Sequence, residues 1–269
     1  MVGGVVSRVL RLRVGQSVDL PFEVCGPSGA VVGAVVGHGL GSSDPRGKNH
    51  CEDATRPVFL PALDSAGMRA IWYTARGHGA SRGWESSGGT EQFLWDGQLA
   101  QDMLEVAEQQ IGVGSRFIAA GNSMGAATAL CAALQQPDRV AALLLYRPPT
   151  IWKAREARRK ALVASADELR AAHGPAWPYF DVVRGAADCN LPPVHHASWQ
   201  SLRQTPALIL CHGDDAVHPI ESGEALAAVL PQARLEVASD QEAAERRFPP
   251  LVADWLREVS ANVSASLTQ

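Results

Sequence analysis

The sequence has no paired CxxC, no long apolar run and no histidine beyond His218. Each absence narrows what the chain can be. No G-x-G-x-x-G opens a first helix, which argues against a dinucleotide-dependent oxidoreductase. The five cysteines (Cys25, Cys51, Cys131, Cys189 and Cys211) are odd in number and lack metal-type spacing. That fits free thiols in a reducing, cytoplasmic compartment better than a disulfide framework. No window can span a bilayer. Met1–Arg8 lacks the basic opening of a signal peptide. The net charge of −4 offers no footprint for nucleic acid or an anionic membrane. The expected partner is a small-molecule substrate, with no cofactor and no metal. Oligomeric state is not legible.

What is present centres on Arg116–Leu130, RFIAAGNSMGAATAL. A short apolar strand, Phe117–Ala120, runs into Gly121-Asn122-Ser123-Met124-Gly125. A small-residue helix, Ala126–Leu134, follows. Strand, G-x-S-x-G and helix form a nucleophile elbow, in which a strained turn lifts the serine Oγ above the sheet. The glycines avoid collision with the neighbouring strand and helix. The free N–H groups and dipole of the helix N-terminus favour negative charge beside the serine. The motif is weak alone: Gly79-Ala80-Ser81-Arg82-Gly83 matches it too. Ser81 runs into loop residues rather than a helix, so Ser123 is the expected nucleophile.

Elsewhere strands alternate with helices. Val9–Val14 and Val18–Val24 read as a hairpin turning at Gly15-Gln16-Ser17. Ala30–Val36 reads as a buried central strand that leads into His38-Gly39-Leu40-Gly41. Such a glycine-rich bend can aim backbone N–H groups inward. Leu40 and Met124 N–H, with Gly39 shaping the loop, are the expected oxyanion donors. His38 is expected to bond backbone rather than move protons. A helix over Pro57–Ala66, a strand over Met68–Tyr73, an amphipathic helix over Gln92–Ile111 and a strand over Val140–Leu145 follow.

The pattern changes over residues 147–204. Pro148-Pro149 is followed by a basic run (Lys153, Arg155, Arg158, Arg159, Lys160), with Trp177, Tyr179, Phe180 and Trp199 beyond it. This predicts a helical cap over the site, inserted into a core formed by residues 1–146 and 205–269. The basic run reads either as a solvated helix face or as an attractor for an anionic substrate. Pro206–Cys211 resumes the sheet and leads to Asp214, Asp215, His218 and Pro219. A helix over Glu221–Leu230, a strand over Arg234–Val237, a helix over Phe248–Val259 and a frayed Ser260–Gln269 close the chain.

With these motifs in this order the chain resembles the α/β-hydrolase superfamily along nearly its whole length. The matching residues are His38-Gly39, Arg76-Gly77-His78-Gly79-Ala80-Ser81, Gly121-Asn122-Ser123-Met124-Gly125, and the segment around Asp215 and Pro219. The resemblance implies an α/β fold with a mostly parallel, eight-stranded sheet flanked by helices. It also implies that Asp215, rather than Asp214, orients a histidine base. That histidine normally follows the last strand, but Ala238–Arg247 contains none, and Asp240 is too weak a base to replace one. Two readings follow. One is a serine hydrolase or acyl-transfer enzyme for a small to mid-sized ester or lactone, with its base taken from elsewhere. His218 leads there, then His195 and His196, and the competing role for His218 is a turn residue bonded to backbone. The other is a triad-deficient member that binds a ligand or performs lyase or cyclase chemistry.

Overall fold

The computed structural model describes residues 10–14, 18–27, 32–40, 53, 55–87, 89–174 and 179–266. Among the described residues eight strands form: β1 (Leu10–Val14), β2 (Val18–Cys25), β3 (Gly33–Gly37), β4 (Arg69–Tyr73), β5 (Phe117–Asn122), β6 (Val140–Tyr146), β7 (Ala207–His212) and β8 (Ala233–Ala238). They form one sheet in the order β1-β2-β4-β3-β5-β6-β7-β8. Only the β1/β2 and β2/β4 pairings are antiparallel. The helices are α1 (Arg56–Ser65), α2 (Ala100–Gln110), α3 (Met124–Gln135), α4 (Trp152–His173), α5 (Tyr179–Asp188), α6 (Ile220–Val229) and α7 (Gln241–Ser266). The hairpin turn at 15–17 and the start of the predicted Ala30–Val36 strand lie outside the described residues.

The period-two alternation of strand side chains divides the core into two layers. On β5, Phe117 and Ala119 join α2, α3 and Leu226 of α6 on one face. Ile118 and Ala120 join α1 and α7 on the other. On β7, Ile209 and Cys211 face the first layer, and Leu208 and Leu210 the second. Both faces are covered, so these strands read as continuous apolar runs rather than alternating ones. The β3 and β5 strands adjoin at the middle of the sheet, which brings their C-terminal ends together. The helical cap, α4 and α5, is inserted between β6 and β7.

Two helix boundaries depart from the sequence reading. The amphipathic stretch Gln92–Ile111 is not one helix: Leu94 is extended, and Gly97 takes φ −106°, ψ −121°. Regular helix begins only at Ala100. The interruption lets the Trp95 N–H reach the Cys189 sulfur of the cap segment. At the other end, the helix predicted over Phe248–Val259 spans Gln241–Ser266, so the segment expected to fray is helical through Ser266. Asp240 starts this helix by accepting the Ala243 N–H at 2.7 Å, a side-chain cap that compensates an orphan donor. Most of the stretch read as a loop after the last strand is therefore the first turns of α7.

Candidate active site

Ser123 joins β5 to α3 with φ 52°, ψ −112°, a region an L-residue enters only when its surroundings enforce it. The enforcement is steric and local. A Cβ on Gly121 would sit 2.4 Å from the Gly125 carbonyl carbon, and one on Gly125 would sit 2.1 Å from the Gly37 carbonyl oxygen. Gly125 N–H donates to the His38 carbonyl at 3.0 Å, which pins the start of α3 to the end of β3. Ser123 faces a cavity of about 520 Å³ bordered by the β3 and β5 ends, the loop after β7 and the cap.

The loop after β7 brings two of the expected residues to Ser123. His218 Nε2 lies 2.7 Å from Ser123 Oγ. Its Nδ1 lies 2.8 Å from Asp215 Oδ2. A carboxylate can only accept, so the proton belongs on Nδ1 and the Nε2 lone pair faces the hydroxyl. One loop can present both residues because it folds on Asp215 itself. Asp215 Oδ1 accepts the Val217 and His218 N–H groups, each at 3.0 Å, and leaves Oδ2 for the ring. Burial alone would raise the Asp215 pKa. The His218 hydrogen bonds and charge and the Arg147 charge outweigh it and hold this carboxyl well below the usual range. Arg147 Nε donates to Asp215 Oδ2 at 2.5 Å from a residue with φ 49° at the end of β6.

A second carboxylate, Asp53, which no sequence motif marks, organises the opposite wall. It is 3% exposed. Its Oδ2 accepts the Gly39 N–H at 2.8 Å and the Asn122 amide at 3.3 Å. Its Oδ1 accepts the Thr55 N–H at 2.9 Å and the Thr55 hydroxyl at 2.5 Å. Three segments distant in sequence are thus tied together beneath the loop that carries Leu40. Leu40 and Met124 both border the cavity. Their N–H groups make no hydrogen bond to any described residue. The Leu40 carbonyl accepts the Tyr179 hydroxyl at 2.5 Å, a link from the cap. His38 behaves as a loop strut: its Nε2 accepts the Ala75 N–H at 3.0 Å and its Nδ1 donates to the Gly39 carbonyl at 2.9 Å.

The remaining sequence candidates lie elsewhere. Ser81 is buried and its hydroxyl donates to the His78 carbonyl at 2.7 Å. Asp214 meets His212 Nδ1 at 2.5 Å. His195 and His196 line a separate depression beside Trp199 and Val229. The aromatic lining of the main cavity is Trp95, from the segment before α2, and Tyr179. Trp199 instead packs edge-on against Trp152 and Phe180 lies under Arg170, while Trp177 lies outside the described residues. No sequence motif marks Asp53 or Arg147: apart from Thr55, two residues on, the described partners of Asp53 are 14 and 69 residues away, and the Asp215 partner of Arg147 is 68 away.

Residues 35–177 match a family model described as alpha/beta hydrolase fold. No curated protein matches the chain. Among solved structures, a thermophilic esterase from Thermogutta terrifontis with malate bound is 20% identical, with 95% of this chain and 98% of that one covered and a TM-score of 0.64. An esterase from Exiguobacterium antarcticum is 17% identical over 93% and 100% of the two chains, with a TM-score of 0.68. A carboxylesterase structure from Nitrososphaera gargenis is 17% identical over 94% and 100%, with a TM-score of 0.70. At these identities the likeness is one of fold.

Proposed function

The chain belongs to the α/β-hydrolase family, and from that premise we propose that it is a serine hydrolase of small to mid-sized carboxylic esters. In this reading Ser123 is the nucleophile, His218 the general base, Asp215 its orienting acid, and the Leu40 and Met124 N–H groups the oxyanion donors. The observation that carries it is the pair of His218 contacts, 2.7 Å to Ser123 Oγ and 2.8 Å to Asp215 Oδ2. A serine hydroxyl is a poor nucleophile until a neighbour takes its proton, and this imidazole has its lone pair aimed at that proton.

The reaction follows from the geometry. Ser123 Oγ attacks the ester carbonyl while its proton passes to His218 Nε2. Asp215 stabilises the imidazolium through Nδ1–H. The carbonyl oxygen becomes an oxyanion, to which the two free N–H groups and the N-terminus of α3 offer charge complement. Collapse breaks the C–O bond, and Nε2–H gives its proton to the departing alkoxide. Water then repeats the sequence on the acyl-enzyme, with His218 as base, and frees the acid and Ser123. The fold neighbours that are esterases favour an ester over other acyl groups. The triad-deficient reading has less support, because its premise is that no histidine reaches the serine.

The test is a panel of short-chain 4-nitrophenyl esters with a fluorophosphonate label. The intact protein should turn over at least one ester and take the label on Ser123, and Ser123→Ala should do neither. An intact protein that does neither refutes the reading.

A further inference from the structure

The cavity above Ser123 carries positive charge that no described carboxylate pairs. One face of α4 borders it, through Arg155, Arg158, Leu162, Ser165 and Leu169. Steps of three and four residues keep these side chains on one helical stripe. The stripe is graded along its axis, with two arginines near the N-terminus of α4 and two leucines beyond them. The helix dipole adds positive potential at the arginine end. Of the basic run, Lys153 and Lys160 are solvent-exposed and Arg159 pairs with Asp188, so the solvated-face reading holds for those three residues. Arg155 and Arg158 turn inward instead.

Arg155 is 5% exposed, and among the described residues no carboxylate lies within ion-pair distance of it or of Arg158. Arg155 donates Nε to the Cys189 carbonyl at 3.1 Å and Nη2 to the Ala186 carbonyl. These contacts cap the end of α5 and use two of its five N–H donors. Nη1 has no acceptor among the described residues. The guanidinium lies 4.5 Å above the Trp95 ring, whose own buried N–H also lacks an acceptor. The cavity's other ionic groups are engaged: Asp53 accepts four protein donors and Arg147 is tied to Asp215. A buried guanidinium without a counter-ion is costly unless something supplies the negative charge.

We propose that the Arg155–Arg158 end of the cavity binds a carboxylate carried by the substrate, and that Leu162 and Leu169 line the apolar part of the same molecule. The preferred substrate class is then an ester bearing an anionic carboxylate away from its scissile bond. The word substrate rests on the hydrolase reading, whereas the anion site stands on the arginines alone.

The test uses matched pairs that differ only in charge. The mono-4-nitrophenyl ester of adipic acid and its terminal carboxamide place the charge on the acyl side. Acetylated 4-hydroxybenzoate and its benzamide place it on the alcohol side. The intact protein should favour the anionic member of one pair by about tenfold or more in kcat/KM. Arg158→Gln, which breaks no hydrogen bond or ion pair among the described residues, should bring that ratio close to one, and Arg155→Gln should do the same. Using the ratio removes any general loss of activity. A neutral member preferred in both pairs, or a ratio unmoved by Arg158→Gln, overturns the proposal. Calorimetry with adipate and adipamide separates it from the hydrolase reading. If no ester is cleaved yet adipate alone binds, and Arg158→Gln abolishes that binding, the anion site stands and the hydrolase reading falls. If adipate does not bind and no anionic ester is preferred, the site is refuted.

Discussion

Replacing Asp53 by alanine should damage both stability and turnover, in proportions that follow from its four donors among the described residues. The Thr55 hydroxyl and the Asn122 amide, at 2.5 Å and 3.3 Å, can rotate toward water that enters from the cavity. The backbone N–H groups of Gly39 and Thr55, at 2.8 Å and 2.9 Å, cannot. Leaving two buried amides unpaired costs about 1–3 kcal/mol each. Partial rescue by water brings the expected loss to about 2–4 kcal/mol, or about 5–15 °C in Tm for a chain of this size. Turnover should fall further than stability explains, because Gly39 sets the direction of the Leu40 N–H. Loss of one oxyanion donor costs about a hundredfold or more in kcat. The assay is kcat on a short-chain 4-nitrophenyl ester, well below the variant's melting temperature, with circular dichroism to verify folding. Thr55→Val is the control: it removes one donor to the same carboxylate and leaves Gly39 held, so kcat should stay within about threefold. A folded Asp53→Ala protein with kcat within threefold of the intact enzyme would refute the assignment of Asp53 as a positioning residue.

Other consequences are direct. Gly125→Ala places a methyl 2.1 Å from the Gly37 carbonyl oxygen and 2.3 Å from its carbon, neither of which can retreat without breaking the β3–β5 pairing. It should yield insoluble protein, or a urea-derived unfolding free energy lowered by about 3 kcal/mol or more. Acid should destabilise the fold in two windows. Burial depresses His38, and burial together with the nearby His38 depresses His78 to about 3, so the unfolded chain binds protons first as pH falls below about 6.5. Asp215, also depressed in the folded state, adds a loss of the same sign below about pH 4. Urea titrations at stepped pH should show both, and His78→Gln should flatten the upper window by about one proton. A stability maximum near pH 5 would contradict this.

The legible parts of the site were those set by short-range sterics. Gly121 and Gly125 flank Ser123 because no Cβ fits there, and that constraint is written in five adjacent residues. The buried strands were legible for the same reason, each being an apolar run bounded by glycine, proline or polar residues. The sequence leaves His218, His195 and His196 as candidates, and of these His218 lies beside Ser123. What selects it is the fold of the Asp215 loop onto its own side chain, two N–H groups on one oxygen and the imidazole on the other, and no residue pattern encodes that. Asp53 and Arg147 were invisible because their meaning lies in contacts made across the sheet. The break at Gly97 and the early start of α7 at Gln241 were misjudged by periodicity and composition. In the first, a non-helical glycine overrides an amphipathic pattern, and in the second, an aspartate cap overrides a polar stretch that reads as loop.

The proposed mechanism needs a base drawn from the acid's own loop, and the most direct measurement is kcat/KM of His218→Ala on an ester that the intact protein cleaves. His195→Ala and His196→Ala serve as comparisons. Members of a triad act as a unit, so His218→Ala should lose at least about 10⁴-fold, close to the loss in Ser123→Ala, while the other two variants stay within about threefold of the intact enzyme. A His218→Ala protein that keeps activity within tenfold, while Ser123→Ala has none, would place the base on another residue and contradict the account.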